Sequence, residues 1–243
     1  MTTLTMKPVV LLIPGMLNNA RIWGRVAPLL TDVADVRIAD VASQSRIEDM
    51  ARDAWSLVAD VPASQRLVVC GFSMGGYVAL DLIATYLIAK RPIDTWAIGL
   101  FNTSSRMETS ETLLAREKTI RAIERDFDRV IKGIAPFGID TANHADAVLM
   151  AEALAIMRET GADAAVRQLR AIMARPDQGP LLQQIQAPTL IVSSRSDQVV
   201  PPAASEEMAA AIPHARLEWI GGAGHMTPLE QPGVLANLLK ALL

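Results

Sequence analysis

Six short apolar runs constrain this chain more than any other feature. They are Val9–Ile13, Val36–Ala39, Leu67–Cys70, Trp96–Phe101, Thr189–Ser193 and Arg216–Ile220. Runs of this kind, without strict polar alternation, predict strands covered on both faces, as in a parallel sheet. Pro14-Gly15 ends the first run as a turn. Segments of helical period lie between the runs. Ile47, Met50, Ala51, Ala54, Leu57 and Val58 share one helical face. They follow Ser45-Arg46-Ile47-Glu48, which reads as a capping box. Gly75 to Ala89, Ala203 to Ala211 and Val234 to Leu243 predict further helices. This alternation of strand and helix predicts an α/β sheet with right-handed crossovers.

One stretch breaks the rhythm. From about Ser104 to Ala187 no segment reads as a strand. Ile120, Ile123, Phe127, Val130 and Ile131 are spaced to share one helical face. Ala145–Glu159 and Asp163–Ala174 predict two more helices, punctuated by Gly161 and Pro176. The expected organisation is a core of residues 1–103 and 188–243 with a helical lid, residues 104–187, inserted between two strands.

Composition excludes several classes of function. The 23 Lys+Arg against 26 Asp+Glu give a net charge of −3, so no global basic field exists to hold nucleic acid or anionic lipid. Cys70 is the only cysteine, which excludes an internal disulfide and any multi-cysteine metal site. His144, His214 and His225 lack the spacing of a helical zinc pair. No run approaches the roughly 18 apolar residues of a membrane span, and Val9–Ile13 is too short for a signal core. The sequence therefore reads as a soluble, cytoplasmic protein.

The chemistry centres on Gly71-Phe72-Ser73-Met74-Gly75, placed between the strand Leu67–Cys70 and a helix. A sharp strand-to-helix turn needs small residues on either side of its apex, and Ser73 would project from the strand's carboxyl end. A serine hydroxyl needs a base. His225, in Gly221-Gly222-Ala223-Gly224-His225, follows the strand Arg216–Ile220. His214 precedes that strand, at its opposite end, and His144 lies in the helical insert. The base in turn needs a carboxylate. Asp197 follows the strand Thr189–Ser193. The rival position, after Trp96–Phe101, holds Asn102, which carries no charge. A tetrahedral oxyanion wants two amide donors, expected here from Met74 and Met16. This set implies acyl transfer with no metal and no organic cofactor.

These residues resemble the α/β-hydrolase superfamily. The resemblance rests on Pro14-Gly15-Met16 followed by Trp23, on Gly71-Phe72-Ser73-Met74-Gly75-Gly76, on Asp197 and on Gly224-His225. Within the superfamily, the spacing from Gly15 to Trp23 is similar to small capped serine carboxylesterases, among them pimeloyl-carrier-protein methyl esterases, enol-lactonases and cofactor-free haloperoxidases. The resemblance implies an α/β-hydrolase fold. Its mostly parallel, eight-stranded sheet would have helices on both faces, a helical cap, and a triad at its carboxyl edge. Many members have His-Gly where this chain has Pro14-Gly15. A serine at position 73 sets the chain apart from relatives that use an aspartate there.

The expected activity is hydrolysis of a small or aliphatic ester or lactone through an acyl-enzyme. Carbon–carbon or amide hydrolysis, perhydrolysis, and a ligand receptor with slow turnover are the alternatives. Phe127, Phe137, Met150, Met157 and Met226 are the candidate pocket walls. Arg121, Arg125 and Arg129 recur every four residues on the expected first lid helix, beside Lys118 and Lys132. Such a stripe would suit an acidic acyl-carrier partner, or form a solvated face paired with Glu117, Glu124 and Asp128.

Overall fold

The computed structural model describes residues 6–88 and 90–243. The six apolar runs become six strands: β1 (Val9–Ile13), β2 (Asp35–Ile38), β3 (Leu67–Phe72), β4 (Trp96–Phe101), β5 (Thr189–Ser193) and β6 (Ala215–Trp219). They form one sheet in the order β2-β1-β3-β4-β5-β6, with every neighbouring pair parallel. The eight strands implied by the resemblance are therefore six among the described residues. The strand order reverses between β1 and β3, the switch point at which open α/β sheets bind their ligands.

The helices are α1 (Ile47–Ser56), α2 (Met74–Leu82), α3 (Ser110–Arg125), α4 (Phe127–Gly138), α5 (Ala147–Thr160), α6 (Ala162–Ala174), α7 (Gly179–Leu182), α8 (Pro202–Ala211), α9 (Thr227–Glu230) and α10 (Pro232–Lys240). Successive side chains of a strand point to opposite faces, and β1 shows the result. Val9, Leu11 and Ile13 join the core formed with Ile47 and Met50 of α1, Val78 and Leu82 of α2, and Met208 of α8. Val10 and Leu12 join the other core, with Trp23, Leu235 and Leu239 of α10, and Ile131, Ile156 and Leu169 from α4 to α6. A strand buried on both faces has no place for a polar residue, which is why these runs lack alternation.

Two local expectations are corrected, and a third reaches past the described residues. Helix α1 begins at Ile47 with Arg46 as its N-cap and no side-chain cap. Ser45 stands one residue too early to cap it, and Glu48 pairs with Arg46 instead. The helix after Ser73 runs as α2 to Leu82, then widens into a π turn over Ile83–Leu87, closed by the Ile88 amide donating to the Ile83 carbonyl at 3.1 Å. Ala89, its expected end, lies outside the described residues. Between β4 and β5 the described residues hold helices α3 to α7 and no strand. Asp126 breaks the expected first helix of that stretch in two. Its backbone leaves the helical region, and its carboxylate accepts the Arg129 amide at 3.0 Å, so it ends α3 and caps α4. Ile120 and Ile123 therefore sit on α3, while Phe127, Val130 and Ile131 sit on α4.

Candidate active site

The carboxyl ends of β1, β3, β4 and β5, with the loop after β6, converge on one rim. Ser73 stands there with φ 53° and ψ −119°, a conformation that non-glycine residues rarely adopt. The Ser73 amide donates to the Phe101 carbonyl at 2.9 Å, and the Thr103 hydroxyl donates to the Ser73 carbonyl at 2.8 Å. These bonds hold the apex against β4. The turn is tight enough that a Cβ on Gly71 would strike the Gly75 carbonyl, and one on Gly75 would strike the Ile13 and Pro14 carbonyls. That explains both glycines by close approach of backbone.

His225 reaches the site from the loop after β6. Its Nε2 lies 2.9 Å from Ser73 Oγ, and its Nδ1 lies 2.9 Å from Asp197 Oδ2. The ring is 5.1 Å from the Phe72 ring, which itself packs edge-on against Trp23. The Met226 amide donates to the Gly138 carbonyl at 2.8 Å, and the Ser194 hydroxyl bonds the Ala223 carbonyl. The histidine loop is thus fastened at both ends, to α4 and to the turn after β5.

Asp197 is buried and accepts four hydrogen bonds. Oδ1 takes the amides of Val199 and Val200 at 2.8 and 2.9 Å, and Oδ2 takes Asn102 Nδ2 at 2.9 Å besides His225. Burial alone would raise its pKa. The charge and hydrogen bond of His225, with the Val200 amide and Asn102, outweigh burial and hold the carboxylate below its usual range. Asn102 also accepts the Thr227 hydroxyl at 2.7 Å, which fixes which way its amide points.

The Met16 and Met74 amides flank Ser73. Met74 opens α2, so its amide has no carbonyl of a preceding turn to reach. Among the described residues neither amide donates within the protein. A Cβ on Gly15 would lie 3.0 Å from the Ser73 Cβ, which places the β1 loop directly over the serine.

A cavity of ≈ 440 Å³ opens beside Ser73. Its apolar wall is Met16, Met74, Tyr77, Ile172, Val199 and Val200. The remainder comes from Ser104 and residues 106–109, the first half of α3, Arg175 and the start of α8. Here the expected pocket walls are corrected, because none of Phe127, Phe137, Met150, Met157 and Met226 lines it. Phe137 is an exposed side chain. Phe127 and Met150 pack half-buried on the core, and Met157 and Met226 are buried in it. Helices α4 and α5 turn their apolar faces to that core, not to the serine.

The cavity also contains charges that no sequence pattern singled out. Arg175 is buried, and its guanidinium bonds Glu108 at 2.8 Å while lying 3.8 Å over the Tyr77 ring. Arg116 bonds the same carboxylate at 2.7 Å. Burial raises the Glu108 pKa, but the hydrogen bonds from Arg116 and Arg175 prevail and bring it down to about 2. At the rim Arg106 and Glu207 form a bidentate pair at 2.7 and 2.9 Å. Each of these charges has a partner, so the cavity carries no bare ion.

Two other expectations concern groups away from the serine. His144 bonds the Pro136 and Ile139 carbonyls at 3.0 and 3.1 Å, a structural role at the end of α4. The arginine stripe is divided, with Arg121 and Arg125 on α3 and Arg129 on α4. Arg121 faces Glu117, and Asp128 takes both Lys132 and Arg158, so the surface alternates in sign.

Residues 10–238 match the model of the alpha/beta hydrolase family. The chain belongs to the alpha/beta hydrolase family. A pimeloyl-[acyl-carrier protein] methyl ester esterase of Nitrosomonas europaea is 24% identical over 97% of this chain and 95% of its own. Among solved structures, a thermophilic esterase from Thermogutta terrifontis superposes with a TM-score of 0.85 at 22% identity, covering 97% of this chain and 89% of that one. An enol-lactonase from Burkholderia xenovorans gives 0.83 at 22% identity, covering 97% and 91%. These structural likenesses fix the fold. Among the described residues of this alpha/beta hydrolase, no helix is long and apolar enough to cross a membrane.

Proposed function

We propose that this protein is a serine hydrolase that cleaves a small or aliphatic carboxylic ester or lactone through an acyl-enzyme. The reading is carried by one observation, the line Ser73 Oγ–His225 Nε2 and His225 Nδ1–Asp197, each at 2.9 Å. Ser73 adds to the carbonyl carbon as His225 takes its proton. Asp197 holds the ring in the tautomer that leaves Nε2 free to accept, and stabilises the imidazolium that forms. The Met16 and Met74 amides receive the oxyanion, where one such donor is worth about 3–4 kcal/mol in the transition state. The imidazolium then protonates the departing alcohol, and the carbon–oxygen bond to it breaks. A water, deprotonated by His225, adds to the acyl-enzyme and releases the acid and free Ser73.

Residues 104–187 act in this reading as a cap whose first segment walls the cavity. The apolar wall near Ser73 favours an uncharged acyl or alcohol chain of modest size. The ester and lactone chemistry of the relatives supports the same class. The alternating charges around Arg121, Arg125 and Arg129 give an acidic carrier little to dock on.

The test is intact-mass analysis after treatment with a fluorophosphonate. Wild type gains one phosphonyl group and Ser73→Ala gains none. Equal labelling of the two overturns the assignment. A series of p-nitrophenyl esters from acetate upward then ranks chain length.

A further inference from the structure

Gln168 of α6 is completely buried, yet its amide spans two loops far away in the sequence. Its Oε1 accepts the Leu17 amide at 2.9 Å, and its Nε2 donates to the Val41 carbonyl at 3.1 Å. Leu17 is the residue after Met16, and it has φ 59°. A leucine in this left-handed conformation is disfavoured, because its Cβ crowds the backbone. It persists only where surrounding bonds hold it. The Met16–Leu17 peptide is gripped from both sides. Its carbonyl accepts Asn18 Nδ2 at 2.7 Å, and its N–H goes to Gln168. Turning that plane over would bring Leu17 to an ordinary negative φ, and Gln168 would then face a carbonyl instead of a donor.

We infer that Gln168 is a positioning residue for the oxyanion hole. By fixing the Met16–Leu17 plane it sets the direction of the neighbouring Met16 amide, so helix α6 of the cap governs how well the oxyanion is received. The inference rests on the serine-hydrolase reading. The group is suited to the task because a buried amide with both ends bonded has one orientation, whereas an apolar residue of the same length would leave the Leu17 N–H and the Val41 carbonyl unpaired.

The experiment compares Gln168→Met, Gln168→Asn and Gln168→Glu with wild type on p-nitrophenyl butyrate, recording kcat and KM separately with the urea midpoint of each. Arg167→Met is the control. It cuts the neighbouring tie of α6 to the Ala42 carbonyl, 3.0 Å long, without touching Leu17. Gln168→Met and Gln168→Asn lower kcat by about a hundredfold, the scale of a misplaced reacting group, with KM within about twofold. Gln168→Glu restores much of the loss, since a buried carboxyl held protonated offers the same acceptor and donor. Arg167→Met keeps its kcat. If Gln168→Met does not fold, Gln168→Asn carries the comparison, being one methylene too short to span both loops. An unchanged kcat in folded Gln168 variants overturns the inference alone. So does an equal fall in kcat for Arg167→Met, which marks a merely structural tie. A wild type inert to esters and unlabelled at Ser73 overturns the hydrolase reading and this inference with it.

Discussion

Asn102 Nδ2 donates to Asp197 Oδ2, the same oxygen that meets His225 Nδ1, and both distances are 2.9 Å. The two positions that could have held the acid of the triad are thus side by side, and one serves the other. Asn102→Asp would set a second carboxyl against a buried carboxylate. Like charges at that separation cannot both ionise, so a proton stays on the pair. The expected result is a loss in kcat/KM at pH 7 of about tenfold or more, with the acidic limb of the pH–rate profile moved upward. A pH series on one ester reads this directly, and an unmoved limb contradicts it.

Asp197→Asn keeps the shape of the site but presents an amide to the imidazole, favouring the wrong tautomer. A fall in kcat of about 10⁴-fold is expected, with residual activity from the oxyanion donors. Steady-state kinetics beside a circular dichroism spectrum separates this from unfolding.

Acid stability should follow Glu108. Its folded-state pKa, about 2, lies below that of an unfolded glutamate. The ion pairs with Arg116 and Arg175 therefore contribute fully above about pH 4.5, and the contribution is lost as pH falls toward 2. Urea midpoints measured from pH 6 to pH 2 should drop across that window, and drop less in Glu108→Gln. Removing the buried partner is harsher, since Arg175→Met leaves Glu108 in the cavity wall without its deepest cation. A cost of about 3–5 kcal/mol at pH 7 is expected from urea unfolding.

One glycine of the elbow and one of the histidine loop give a paired test of packing. Gly71→Ala drives a Cβ into the Gly75 carbonyl, where only backbone movement can make room. A destabilisation of about 1–3 kcal/mol or more is expected. Gly221→Ala meets nothing within 4 Å and should leave the urea midpoint almost unchanged.

Cys70 is buried in β3 beneath the elbow, and burial pushes its thiol well up. The thiolate is the reactive form. Ellman's reagent should therefore leave native protein untouched and titrate one thiol per chain in guanidinium. Rapid native labelling would mean that the sheet opens near Ser73.

The parts of the molecule that could be read from sequence are those set by neighbours in the chain. Ser73, Asp197 and His225 each follow an apolar run, so their common rim followed from strand direction alone. The break at Asp126 has no signature in the apolar spacing, which continues across it; the residue's own backbone and its carboxylate, capping α4, make the interruption. The pocket walls are illegible for a different reason. Apolar spacing marks the buried face of a helix but not what that face is buried against, and in α4 and α5 it is the core. Glu108 with Arg175, and Gln168 with Leu17, are pairings across 67 and 151 residues that leave no local trace. The eight-strand expectation came from the resemblance and not from the runs, which numbered six throughout.

Leu17, Ser73 and Asn102, after β1, β3 and β4, all carry positive φ without being glycine. Each such residue costs on the order of 1–3 kcal/mol, so one rim stores a sizeable share of what a domain can spare. A screen for heat-tolerant descendants would find its easiest gains by relaxing these three positions. The survivors should melt later and turn over more slowly, which gives the trade between durability and speed a definite address in this molecule.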